Sequence, residues 1–172
     1  HLPNVIFLHS TVDPTVHYDR GLVRDIDVSF VGSLDPGGQR WPLRAEYTSF
    51  LMSNGVKVVL AGGQRGGGRL SIEEFATYLN RSRVSLDFCR STDGRPTMHL
   101  RSFEVPACGA LLMEDCNTLL GHLLEPGRDF VVFHNKDELL ELVQHYLAHE
   151  EERQEIAARG HEKVTRVFNA LN

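Results

Sequence analysis

The 172-residue chain has few cysteines, one tryptophan and no long apolar run. Its three cysteines, Cys89, Cys108 and Cys116, are odd in number, and none forms a C-x-x-C pair. That argues against a disulfide framework and fits reduced core thiols in a cytoplasmic protein. No hydrophobic stretch nears the roughly 20 residues of a membrane span, so no membrane span is expected. The start, "HLPNVIFLHS", lacks a methionine, a basic region and a small-residue cleavage site. No secretory signal is expected there, and a piece of a longer chain is. Excess positive charge is also lacking: the net charge is -5, which argues against a nucleic-acid partner.

Lysine is absent from residues 65–101, which carry seven arginines against four acids. Guanidinium forks suit phosphate and carboxylate oxygens. Phosphate-binding signatures are absent as well. In "AGGQRGGGRLS", Arg69 and Leu70 stand where a P-loop needs Lys and Ser or Thr, and Arg65 interrupts G-x-G-x-x-G. The stretch reads as a flexible loop whose Arg65 can still reach a ligand. No G-x-S-x-G elbow is present. The i, i+4 pair His145 and His149 has no third ligand at useful spacing and reads as a surface pair, so no metal and no cofactor are expected.

Apolar β-branched runs alternate with helical patterns. "VIFL" (5–8), "DVSFVG" (27–32), "VKVVLAGG", "VSLDF" (84–88), "GALLM" and "DFVVF" (129–133) read as strands. "RAEYTSFLMSNG", "SIEEFATYLNRS", "NKDELLELVQHYLAHE" and "EEERQEIAARGHEKVTRVF" read as helices, with capping boxes at Ser71/Glu74 and Asn135/Glu138. The alternation predicts an α/β fold: a Rossmann-like, mostly parallel sheet with helices on both faces. Ligands then gather at the carboxyl ends of the strands. Three Gly- and Arg-bearing loops leave strands there: "GSLDPGGQR", "GGQRGGGR" and "CRSTDGRPTM". Their convergence predicts an anion site.

"RPTMHLRSFEVPACGALLMED" (95–115) places two charges in an apolar segment. At about 100° per residue, Thr97, Arg101, Glu104 and Cys108 share one stripe of a helix starting near Thr97. Leu100, Phe103 and Ala107 fall on a neighbouring stripe suited to the sheet. The helix start would face a diphosphate, with Arg101 one turn in. Glu104, one turn further, suits the paired hydroxyls of a ribose. Pro106 and Gly109 should end the helix. The alternative is an i,i+3 ion pair between Arg101 and Glu104, which contributes only about 0.2–0.5 kcal/mol.

"RSFEVPACGALLMED" resembles the R-x-F-E-x-x-A-C-G-(G/A)-x-L-L segment of group 1 glycosyltransferases of GT-B fold, most closely the CgeB-type, spore-maturation-protein-like group. "DIDVSFVGS", "YLNRSRVSLDF" and "LEPGRDFVVFHNKDELLELVQHYLAHEEERQEIAARGHEKV" are similar to further landmarks of that group, in order. "LHSTVDP" (8–14) is similar to the stretch that joins the two halves. The resemblance implies a crossover segment over 1–24, following an N-terminal domain of the same enzyme, and a nucleotide-sugar-binding domain over 25–172. It implies sugar transfer from a nucleoside diphosphate sugar, with Glu104 on the ribose. Gly32, Ser33 and Arg40 would lie near the diphosphate, as would Gly94, Thr97, Met98 and Arg101. Pro96 occupies the place of the earlier glutamate of the E-x7-E motif, so that sugar contact is expected to be absent. The general base is expected in the N-terminal domain, so this piece alone is expected to be inactive. The rival reading is a non-catalytic nucleotide-sensing or scaffold module.

Overall fold

A computed structural model describes residues 11–34, 42–63, 68–90, 97–115 and 120–168. The expected strand at 5–8 and the candidate residues Arg40, Arg65 and Gly94 lie outside them, as does Cys116. Five strands form one sheet: β1 (Ile26–Val31), β2 (Val58–Ala61), β3 (Ser82–Asp87), β4 (Leu111–Asp115) and β5 (Val131–Phe133). Their order is β2-β1-β3-β4-β5, and every neighbouring pair is parallel. Five helices cross between or follow the strands: α1 (Pro42–Ser53), α2 (Ile72–Arg81), α3 (Arg101–Ala107), α4 (Lys136–Ala148) and α5 (Glu150–Val167). The Rossmann-like α/β expectation holds.

The period-2 pattern explains why both faces are covered. Val28 and Phe30 of β1, Val84 and Leu86 of β3, and Leu111 and Met113 of β4 point into one apolar layer with α1 and α4. The intervening Val31 and Leu112 point into the other, with α2 and α3. Helix α5 serves both layers, through Ile156 and Ala157 at its start and Val164 at its end. Among the described residues, no helix is long and apolar enough to cross a membrane.

At its crossing, α5 comes against the loop before β5. A methyl group on Gly160 would overlap the backbone carbonyl oxygen of Asp129 and touch Pro106 at 3.6 Å. Gly160→Ala should therefore destabilise by about 1–3 kcal/mol, the cost of overpacking. A urea unfolding midpoint checks it; an unchanged midpoint would mean that α5 can retreat without loss.

The caps are partly as expected. Ser71 and Glu74 form the full reciprocal box at α2. Asn135 caps α4 by accepting from the N–H groups of Asp137 and Glu138, but Glu138 does not close a box. Its carboxylate turns to the backbone N–H of His134 at 2.7 Å instead. Helix α3 starts at Arg101 rather than near Thr97. The Thr97 N–H and hydroxyl both donate to the Cys89 carbonyl, at 2.7 and 2.6 Å, and this holds the segment outside the helix. The helix ends one residue after Pro106, and Gly109 closes it at φ +74°.

Candidate functional site

Strand order reverses between β1 and β3, because the chain passes from β1 outward to β2 and returns to β3 on the other side. The crevice outside the carboxyl ends at such a switch point is where open α/β sheets hold ligands. Here an open cleft of about 620 Å³ lies there, within the range of small-molecule sites. Gly32 at the end of β1 lines it, with Met98, Arg101 and Glu104 from the α3 side and Arg69 and Ile72 at the start of α2. The structure thus brings four of the sequence candidates together and places Ser33 beside them.

Gly32 is fixed by close approach. A methyl group there would lie 2.8 Å from Arg101 Nη1. Its N–H donates to the Ala61 carbonyl at 2.8 Å, tying the end of β1 to β2. Behind the turn, Arg44 Nη1 donates to the Ser33 carbonyl at 3.1 Å. Arg44 is buried, and burial, with Arg101 nearby, lowers its pKa to about 10. Both guanidiniums lie against Phe30, 5.5 and 5.1 Å from the ring centroid for Arg44 and Arg101.

Arg101 does not pair with Glu104 in the manner of a surface i,i+3 bridge. Its Nη1 donates to the Val31 carbonyl at 3.1 Å, and its Nη2 lies 3.5 Å from Asp87 Oδ1. Asp87 is fully buried at the end of β3. Burial alone would raise its pKa; Arg101 and His99 outweigh that and hold it at about 2. His99 Nδ1 stands 3.3 Å from Asp87 Oδ1. Two more buried acids end β4. Glu114 accepts from the Ser102 hydroxyl at 2.6 Å, and Asp115 from Arg90 Nε at 3.1 Å and the Cys89 N–H.

Glu104 differs from these acids. Its side chain is 15% exposed at the cleft, with His17 Nε2 at 3.6 Å. Burial, only partly offset by Arg101, raises its pKa to about 7. A carboxylate that has lost solvent and gained no full counter-charge is a poor structural element and a ready acceptor for a ligand's hydroxyl groups.

Asp87, Cys89 and His99 present ligand atoms within 4.8 Å of one another, a spacing that could hold a metal ion. Their chemistry fits a hydrogen-bonded network better. Burial, then Asp87, pushes the Cys89 thiol far up, away from the thiolate a metal needs. Arg101 already neutralises Asp87. The histidine pair is a surface feature: the His145 and His149 rings stack at 4.2 Å, and His145 bonds Glu152.

A second cleft of about 560 Å³ is lined in part by Arg24, Arg83 and Arg153. Its guanidiniums are engaged by the protein itself. Arg24 donates to the carbonyls of Asn80, Ser82 and Cys108, and Arg153 to that of Arg83. The first cleft remains the candidate.

Reading the sequence alone misses Arg69, Ile72, Phe75, His99 and Leu100 on the cleft wall, and Arg44, Asp87 and His17 behind it. Leu100, expected to face the sheet, is 52% exposed. The signals for two of these were present: an acid inside the apolar run "VSLDF", and an arginine two residues before the Ser71 cap.

The family described as glycosyl transferase-like matches residues 19–170. A search of curated proteins gives no match. Among solved structures, sucrose-phosphate synthase from Thermosynechococcus elongatus is 17% identical, with a TM-score of 0.73 over 93% of this chain and 47% of that one. HepE from Anabaena, in complex with UDP and glucose, is 12% identical, with a TM-score of 0.74 over 94% of this chain and 52% of that one. The C-terminal domain of a glycosyl transferase group 1 family protein from Francisella tularensis is 10% identical, with a TM-score of 0.68 over 92% and 99%. The chain spans about half the length of the first two.

Proposed function

We propose, because this chain belongs to the glycosyl transferase-like family, that it is the nucleotide-sugar donor-binding half of a GT-B glycosyltransferase. The observation that carries this is Glu104: a desolvated carboxylate, with its pKa raised to about 7, facing a cleft at the β1/β3 switch point. Its two oxygens suit the cis hydroxyls of a ribose, each of which donates one hydrogen bond. At the Gly32–Ser33 turn the missing side chain admits the Arg101 guanidinium against the backbone, so a diphosphate there would meet both. Arg69 on the rim supplies positive charge there, and Arg101 lies one side chain deeper. Met98, Ile72 and Leu100 offer apolar surface to the rest of the nucleotide.

In transfer, the bond from the anomeric carbon to the diphosphate oxygen breaks, and the acceptor oxygen takes that carbon. The departing diphosphate gains negative charge, which arginines at the cleft would stabilise. The acceptor and any general base would come from an N-terminal domain. The CgeB-type assignment within the family belongs to the same proposal and rests on the "RSFEVPACGALLMED" match.

Calorimetric titration with UDP, GDP, ADP and dTDP tests the reading. One ribonucleotide should bind, with UDP the first to try because HepE is solved with it. A folded protein that binds none of the four would favour a scaffold module instead.

A further inference from the structure

Among the described residues beside the cleft, His17 is a strongly buried polar side chain that the donor-site reading leaves unused. It is 5% exposed, and neither ring nitrogen has a hydrogen-bond partner. Such burial is costly without a compensating contact, so the position calls for an explanation. The turn that carries it is closed by a backbone hydrogen bond: the His17 N–H donates to the Asp13 carbonyl at 2.8 Å. Phe75 of α2, a residue of the cleft wall, meets its ring edge-on at 6.2 Å. Its Nε2 stands 3.6 Å from Glu104 Oε1. The imidazole is therefore sealed behind the carboxylate that faces the cleft.

We infer that His17 is the positioning residue for Glu104, orienting its carboxyl group and taking its proton when a ligand's vicinal diol enters the cleft. The inference rests on the donor-site reading only for the identity of the ligand. The step balances within the pair. The Glu104 O–H bond breaks, the proton moves to His17 Nε2, and the two carboxylate oxygens then accept the diol's hydrogens. The pair keeps its total charge, so a buried site changes state without importing an ion.

Other charges flank the pair. Asp13 stands on the same turn as His17, Arg20 follows it in sequence, and Glu73 faces it from α2. Arg101 and Asp87 face Glu104. Burial, the largest influence, lowers the His17 pKa and raises that of Glu104. The resting pair is thus a neutral imidazole beside a carboxyl group poised to lose its proton.

The test starts without ligand. Imidazole and carboxyl NMR signals are followed against pH in the wild type, His17→Phe, His17→Gln and Glu104→Gln. His17 should titrate at lower pH in Glu104→Gln, and Glu104 at higher pH in His17→Phe, each by about one unit or more. Unmoved titrations would overturn the inference, whether or not any nucleotide binds. The second readout compares UDP with 2′-deoxy-UDP. The wild type should prefer UDP by about 10-fold or more, one charged hydrogen bond. His17→Phe should lose that preference without losing 2′-deoxy-UDP affinity, and the pH at which UDP binding rises should move up. His17→Gln, which keeps a donor but cannot take the proton, should recover only part of the preference, with the pH at which UDP binding rises still moved up. A His17→Phe protein that is folded and still prefers UDP would contradict the positioning role. If GDP or ADP binds in place of UDP, that nucleotide and its 2′-deoxy form serve for the comparison; a folded protein that binds none of them would refute the donor reading, while the titrations still decide the pair.

Discussion

Replacing Arg101 with methionine should lower the unfolding free energy by about 3–5 kcal/mol at pH 7, the range for breaking a buried ion pair from one side. Asp87 is fully buried, and the variant would remove the guanidinium that stands 3.5 Å from it. The Val31 carbonyl would also lose its donor at 3.1 Å. The pH dependence identifies the cause. Against the desolvation of burial, Arg101 and His99 hold Asp87 at about 2, below the usual 3.8 of an aspartate. A depressed carboxyl pKa contributes stability that is present above pH 4 and lost as pH falls towards 2. The wild type should show that loss, and Arg101→Met should show little of it. Urea midpoints at pH 7 and pH 2.5 decide the matter. Equal falls in both proteins would mean that the guanidinium does not neutralise Asp87.

Glu104→Gln should have opposite effects on binding and folding. Nucleoside diphosphate affinity should fall about 10²-fold, because an amide replaces two charged acceptor oxygens with one neutral oxygen. At pH 8, the same variant should be more stable than the wild type by about 2–3 kcal/mol. The sign follows from the raised pKa. Burial lifts the Glu104 carboxyl from 4.5 to about 7, so ionisation is penalised in the folded state. That penalty is absent below pH 4.5, grows as pH rises through 7, and is constant above. The amide in the Glu104→Gln variant carries none of it. Nucleotide affinity of the wild type should rise over the same interval, as the carboxylate forms. A stable but non-binding variant is the expected signature of a group kept for function at a cost in stability. A destabilised Glu104→Gln protein would instead make Glu104 a structural acid.

Local signals were legible in the sequence, and contacts between distant segments were not. The Ser71–Glu74 box needs only four residues and forms as written. The strand pattern of "DVSFVG" and "VSLDF" follows from alternation, and the parallel sheet from the helices between them. The site's position at the carboxyl ends follows from that topology. Helix α3 fails to start at Thr97 because Thr97 is tied to Cys89, eight residues earlier on another element. Asn135 caps α4 as expected, yet Glu138 finds a nearer donor at His134. Arg101 was legible as a site residue, but its bond to Val31, seventy residues away, was not. His17 gave no signal at all, since only the fold brings its turn against α3. Glu104 was conspicuous because no apolar segment needs an acid there.

Nucleotide binding at the β1/β3 edge around Glu104 is open to direct observation. The most direct measurement is the set of backbone amide NMR shifts on titration with UDP or whichever nucleoside diphosphate binds. The changes should concentrate at Gly32, Ser33, Arg69, Met98, Arg101 and Glu104, and be absent in Glu104→Gln at the same concentration. Changes concentrated instead around Arg24, Arg83 and Arg153, or unaffected by Glu104→Gln, would contradict binding at that edge.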